Sequence, residues 1–267
     1  MQFKNKTALI TGAARGIGQA IAVELASAGA NIIGVDLRLN DLQSTEKAVH
    51  SRGQKFTGFA CDISDERTAC ELINTVASTN GGFDVLVNNA GILPSGYFAD
   101  REFKSWRRVV EVNLIGLIHL THTALPHLLQ KNAAHIVNIA SIAGKFGTEG
   151  VAVYAAAKHG VVGFSSALRA ELQDTKVGVS WICPSMADTR LAEGVARHFL
   201  TPLVQPEDVA KAVRKAIEKN AIEVFVPGRV RLVVSILPSL APKLSRLISK
   251  WSGASQGWLR AQKEISE

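Results

Sequence analysis

Residues 7–18, TALITGAARGIG, decide how the rest of the chain is read. An apolar strand over 6–11 stops at a turn with glycines at 12, 16 and 18. Ile17, Ile21, Ala22, Leu25 and Ala28 then recur at helical spacing over 17–28. Glycines so placed admit a tight turn, a close pyrophosphate and a close helix–strand contact, while the helix start offers unpaired amides to phosphates. A glycine-rich turn alone is weak evidence, but its place at the first strand–helix junction is the context that dinucleotide binding needs. Gly12, Arg15, Gly16, Ile17 and Gly18 are therefore candidate cofactor contacts.

Beyond that turn the alternation continues. Strands are expected at 31–35, 56–61, 84–88, 135–140, 177–183 and 222–226. Helices are expected near 39–51, 65–80, 103–130 (bent or interrupted at Pro126), 152–173 and after Pro206-Glu207-Asp208. Seven short apolar strands separated by helices imply an α/β doubly wound Rossmann fold, a seven-stranded, mostly parallel sheet with helices on both faces. Ligands collect beyond the carboxyl ends of such strands, so residues that follow strands are the chemical candidates.

Asp36 ends the second strand, placed to accept from the adenosine ribose hydroxyls and to repel a phosphate there, which favours NAD over NADP. NADP is the alternative if Asp36 turns away and Arg15 and Arg38 form a basic pocket. Asp62, at the end of the third strand, either accepts from an adenine amino group or is a turn residue. In Asn88-Asn89-Ala90-Gly91 the amides can tie strand ends together while Gly91 leaves the cofactor room.

Asn113, Ser141, Tyr154 and Lys158 form the reacting set. Tyr154 and Lys158 are one helical turn apart on one face. A free tyrosine titrates near 10, and an adjacent ammonium would stabilise its phenolate and bring proton exchange toward working pH. Ser141 closes the fifth strand and can hold and polarise the substrate oxygen. Asn113 can hold a water linking Lys158 to solvent.

With these residues the chain resembles the classical short-chain dehydrogenase/reductase family over about residues 5–226: TGxxxGxG at Thr11–Gly18, NNAG at Asn88–Gly91, and the Asn113, Ser141, Tyr154 and Lys158 set. The resemblance implies that Tyr154 exchanges the substrate proton, Lys158 binds the nicotinamide ribose and lowers the tyrosine's pKa, Ser141 orients the reacting oxygen, and Asn113 supports a relay water. It also places Asp62 and Ile63 by the adenine and Asn89 further along the cofactor, beside Ala90 and Gly91. The chain departs from the family at Pro184-Ser185-Met186-Ala187-Asp188-Thr189, where Pro-Gly is common. Ser185 takes up space near the nicotinamide, and Thr189 still offers its hydroxyl to the carboxamide.

Leu93, Pro94, Ile142, Phe146, Val151, Met186 and residues 190–205 would form an apolar substrate pocket, with 190–205 as its cover. A lipophilic secondary alcohol or ketone is the expected substrate, and a sugar or small polar carbonyl is the alternative. A nicotinamide-binding regulatory protein without turnover is the contrasting class, and the complete Ser141, Tyr154 and Lys158 set argues against it.

Composition bounds the rest. The chain of 267 residues is 47% hydrophobic, enough for a large core. Cys61, Cys70 and Cys183 have neither disulfide density nor zinc spacing, so no metal site is expected, and a reducing, cytoplasmic setting is. The N-terminus lacks a signal-like h-region. The net charge of +7 lies wholly in residues 211–267, with 11 Lys/Arg against 4 Asp/Glu. Lacking a zinc-finger or RNA-binding motif, this excess is not assigned to nucleic acid. One catalytic domain is expected over 1–226, with a basic extension over 227–267. In it Leu240, Leu244, Leu247 and Ile248 line a face near Lys243, Arg246 and Lys250, suited to peripheral membrane contact, a lid, or the interface of a homo-oligomer, dimer or tetramer.

Overall fold

Among the described residues every strand runs parallel to its neighbours, so each connection between them crosses the sheet. In the computed structural model, which describes residues 1–79, 81–147, 149–188, 203–232 and 235, the strands are β1 (Thr7–Thr11), β2 (Asn31–Asp36), β3 (Phe56–Ala60), β4 (Val85–Asn88), β5 (Ala134–Ile139), β6 (Val177–Pro184) and β7 (Glu223–Val226). Their order in the sheet is β3-β2-β1-β4-β5-β6-β7. The chain moves outward from β1 to β3, then returns to place β4 against β1. That reversal opens a crevice at the carboxyl ends of β1 and β4, where ligands of such sheets bind.

The helices are α1 (Gly16–Ser27), α2 (Gln43–His50, preceded by a 3-10 turn), α3 (Glu66–Ser78), α4 (Phe103–Val110), α5 (Gly116–Leu129), α6 (Ala152–Glu171) and α7 (Pro206–Lys219). Strand alternation sorts them to two faces. Ala8 and Ile10 pack with Ile21 and Leu25 of α1, Val49 of α2, and Val213 and Ile217 of α7. Leu9, Leu86 and Ile136 face the other way, onto Ile73 of α3, Leu120 and Leu128 of α5, and Leu168 of α6.

The sequence predicts an interruption at Pro126. The structure puts it at Asn113 instead: Glu111–Ile115 form a π-turn between α4 and α5, while α5 runs through Pro126. The only intrahelical bond Pro126 removes is to the carbonyl of His122, an exposed residue whose carbonyl water can take. Thr189 and most of the 190–205 cover lie outside the described residues, as does the amphipathic face around 240–250. The base of the 190–205 segment is visible: Asp188 donates its amide to Val204 O (2.9 Å), and Val204 donates to Met186 O (2.9 Å).

His135 sits inside the sheet, 3% exposed, with Nε2 2.8 Å from Ser180 Oγ. Burial, reinforced by Arg169, pushes its pKa down from 6.5 to about 3. The unfolded chain therefore binds one more proton between these values. This residue's contribution is intact above pH 6.5 and falls by about 1.4 kcal/mol per pH unit below it until about pH 3. Urea unfolding of the wild type and of His135→Gln at pH 7.5, 5.5 and 4.5 should show a steeper acid loss in the wild type; equal slopes would remove His135 from the acid response.

Candidate active site

A cavity of about 600 Å³ follows the carboxyl ends of the strands from Asp36 to Tyr154. It is of a size that suits a small-molecule or cofactor site. Of the sequence-predicted residues, Gly12, Arg15, Gly16, Ile17, Asp36, Asp62, Ile63, Asn89, Ala90, Gly91, Ser141, Tyr154, Lys158 and Pro184 all line it. Gly18 and Asn113 stand just behind the wall.

At the first turn, Gly12 and Gly16 take φ values of +65° and +55°, which L side chains resist. Space is equally strict: a Cβ on Gly18 would fall 1.9 Å from the Gly12 carbonyl oxygen. Asn89 fixes the turn, its Nδ2 donating to the carbonyls of Thr11 (2.9 Å) and Gly12 (3.2 Å). Thr11 Oγ1 in turn accepts from the amides of Asn89 (3.0 Å) and Ala90 (3.1 Å). No side chain caps the start of α1 and no acid occupies its first turn, so its leading amides face no competing carboxylate.

Asp36 does not turn away. Its Oδ2 accepts from Ala14 N and its Oδ1 from Leu37 N, each at 2.9 Å. Arg38 faces Asp41 at 3.4 Å instead of the cavity. A fixed carboxylate therefore stands at the end of β2, and the basic pocket that Arg15 and Arg38 would need does not form around it.

Asp62 is a turn residue that also lines the cavity. Its Oδ1 accepts from Ser64 N (3.0 Å) and Ser64 Oγ (2.7 Å), and its Oδ2 accepts from Arg108. Burial pushes this carboxyl up, but the Ser64 hydrogen bonds and the Arg108 ion pair outweigh it and hold the pKa below its ordinary value. Arg108 of α4, itself a lining residue, was invisible to the sequence reading. It belongs to no motif, and only the fold brings it to Asp62, 46 residues away in the chain.

At the other end, Tyr154 and Lys158 project from one face of α6. Tyr154 packs with Trp106, Val109 and Ala157. Lys158 is 4% exposed; its Nζ donates to Ile139 O at 2.8 Å and lies 5.7 Å from the Tyr154 ring centroid. Among the protein's own groups the expected lowering of the tyrosine by this ammonium does not occur. Burial raises the phenol to about 12, with a hydrogen bond to Ser141 pulling the other way. Burial also lowers Lys158 to about 8. The reason is geometric: the ammonium is held at a β5 carbonyl under the ring, not at the phenolic oxygen.

Asn113 lies within the π-turn between α4 and α5. Its Oδ1 accepts from Ile92 N (3.0 Å) and its Nδ2 donates to Ile92 O (2.8 Å), so both ends of the amide stitch the helix to the loop after β4. The stitch uses one acceptor site of Oδ1 and one N–H of Nδ2, and the π-turn at this residue widens the normal i−4 spacing of the helix. Deeper still, Asn88 Nδ2 donates to Asn138 Oδ1 (2.8 Å) and Thr121 Oγ1 (2.9 Å), tying β4, β5 and α5 together as the sequence suggested.

Five of the six residues expected in the apolar wall, Leu93, Ile142, Phe146, Val151 and Met186, line the cavity; Pro94 does not. Ser185 lines it as well, with its hydroxyl buried and without a partner among the described residues.

Residues 6–198 match the family model described as short chain dehydrogenase. The chain is 35% identical over 224 residues to the ketoacyl reductase HetN of Nostoc sp., covering 83% of this chain and 78% of that protein. It is 33% identical over 234 residues to a cyclohexanol dehydrogenase of Acinetobacter sp., covering 85% and 92%. The fold matches a short-chain dehydrogenase/reductase from Burkholderia phymatum in complex with NAD, with a TM-score of 0.78, 27% identity, and coverage of 87% and 94%.

Proposed function

Given that the chain belongs to the short-chain dehydrogenase family, we propose that it transfers a hydride between a nicotinamide cofactor, preferentially NAD, and a lipophilic secondary alcohol or ketone, with Tyr154 as proton donor and acceptor. The observation that carries the reading is the convergence of Ser141, Tyr154 and Lys158 on one end of a cavity whose other end holds a fixed carboxylate at Asp36. The nicotinamide, when bound, supplies or accepts the hydride.

The residues present suit such a dinucleotide. The glycine turn is too close-packed for any Cβ at position 18, and the start of α1 offers amides to its phosphates. Asp36 suits ribose hydroxyls and opposes a phosphate on them. Asp62, Ile63 and Asn89 to Gly91 would border the adenine and the central stretch, and Lys158 would hold the nicotinamide ribose. Pro184 and, beyond the described residues, Thr189 would meet the carboxamide.

At the reacting end Ser141 holds the substrate oxygen next to the tyrosine hydroxyl. With its pKa raised to about 12, the phenol is protonated at neutral pH, the form that donates to the oxygen of a ketone as charge develops there. In the reverse direction the phenolate must form first. Lys158, at about 8, still carries its proton near neutrality and stands 5.7 Å from the ring centroid.

The lipophilic assignment rests on Leu93, Ile142, Phe146, Val151 and Met186 around this end. That similar proteins are named for a ketoacyl and a cyclohexanol substrate supports it. The test is a series of 2-ketones and 2-alkanols of increasing length, followed by cofactor absorbance with NAD(H) and NADP(H) in parallel. Burying one methylene is worth about 0.8 kcal/mol, so kcat/KM should rise about fourfold per carbon until the wall is filled. A flat series alongside turnover of polyols would assign the site to polar substrates. Tight NAD(H) binding with no turnover of any member would make the protein a binding module.

A further inference from the structure

The turn that begins at Ser141 is held from three directions. Ser141 Oγ accepts from Ala143 N (3.1 Å), and the Ser141 carbonyl accepts from Gly144 N (2.9 Å), closing a single 3-10 turn. Gly144 then lies flush on α6, where a Cβ would stand 2.6 Å from the Lys158 carbonyl oxygen. The third hold is ionic. Lys145 Nζ lies 2.7 Å from Glu223 Oε1, and the same oxygen accepts from Trp181 Nε1 at 2.7 Å.

This pair is not a surface ornament. The side chains of Lys145 and Glu223 are 22% and 17% exposed. Trp181, beside them, belongs to an apolar cluster with Cys183, Phe225 and Ile142. In such surroundings, separating the charges leaves each desolvated and unpaired, so the geometry is strongly enforced. Neither Lys145 nor Glu223 lines the cavity, whereas Ser141, Ile142 and Phe146 on the same turn do. The edge strand β7 is thereby fastened to the loop that carries the substrate-facing hydroxyl.

We infer that Glu223 is a positioning residue: by holding Lys145 and Trp181 on one carboxylate oxygen it fixes the turn 141–146, and with it the aim of the Ser141 hydroxyl toward the reacting oxygen beside Tyr154. The inference rests on the proposed function, in which Ser141 orients the substrate. Displacing such a group by about 1 Å can cost on the order of a hundredfold in rate.

The test uses the full chain with Glu223→Gln, Lys145→Met, the double substitution and Lys145→Arg. The first three should lose at least tenfold in kcat while the Kd for NAD(H), read by fluorescence titration, stays within twofold. Lys145→Arg, which keeps the ion pair, should retain kcat. The double variant should regain the thermal stability that Glu223→Gln loses, because no unpaired charge remains, without regaining kcat. A smaller loss of kcat in the double variant, or its recovery together with stability, would overturn the inference. Failure of the unsubstituted protein to turn over any ketone would instead defeat the parent reading. The strut is then judged by amide hydrogen exchange over 142–146, which the double variant should accelerate at least tenfold and which unchanged rates would refute.

Discussion

Tyr154→Phe should lower kcat by about a thousandfold while leaving NAD(H) affinity within about threefold and thermal stability nearly unchanged. The size follows from the role: a positioned general acid or base contributes on the order of 10²–10⁴ in rate. The selectivity of the effect follows from the packing. The ring lies among Trp106, Val109 and Ala157, and phenylalanine fills the same space above Lys158. Only the hydroxyl and its hydrogen bond to Ser141 are lost. In the wild type, alcohol oxidation requires the phenolate, so its rate should climb about tenfold per pH unit while the phenol remains protonated. Ketone reduction uses the protonated form and should not show that climb. Turnover of the Phe variant within tenfold of wild type, on any ketone the wild type reduces, would take Tyr154 out of the chemistry.

The second large effect concerns the far end of the cavity. Asp36→Ser should shift the ratio of kcat/KM for NAD(H) over NADP(H) by about a hundredfold toward NADP(H). Two like charges 4 Å apart repel by about 4 kcal/mol at an effective dielectric of about 20, and a hundredfold corresponds to roughly 2.8 kcal/mol. The carboxylate cannot swing aside cheaply, because the amides of Ala14 and Leu37 both hold it at 2.9 Å. Removing it leaves Arg15, exposed just before α1, as a cationic side chain lining the same cavity. Steady-state kinetics with both cofactors decide the matter. A wild-type preference for NADP(H), or a ratio insensitive to the substitution, would show that Asp36 does not read the ribose.

Much of this arrangement was legible in the sequence, for physical reasons that are local. The period of apolar residues distinguishes β1 from α1, and the glycines of 12–18 mark a turn whose backbone admits no side chain. A spacing of four along α6 places Tyr154 over Lys158 without any knowledge of the fold. Strand ends could be read as ligand sites because a parallel sheet with crossovers leaves its crevice at the carboxyl edge. The interruption of the long helix was misplaced, since proline is a visible helix breaker and a π-turn is not. Whether the amide of Asn113 faces water or a backbone depends on the loop after β4, which lies 21 residues away in the chain.

The amino-acid sequence by itself determined the alternation of strands and helices, the glycine turn, the acid at the end of β2, and the pairing of Tyr154 with Lys158, because each depends on periodicity or spacing within a few residues. Only the tertiary structure decided that Asp36 is clamped toward the cavity, that Arg108 stands on Asp62, that Lys158 points at Ile139, and that Glu223 anchors the turn after Ser141. Those contacts join residues 19 to 78 positions apart in the chain. Which side chains meet across such distances is set by the order of strands in the sheet and the packing of helices on its faces, and no short-range pattern encodes either.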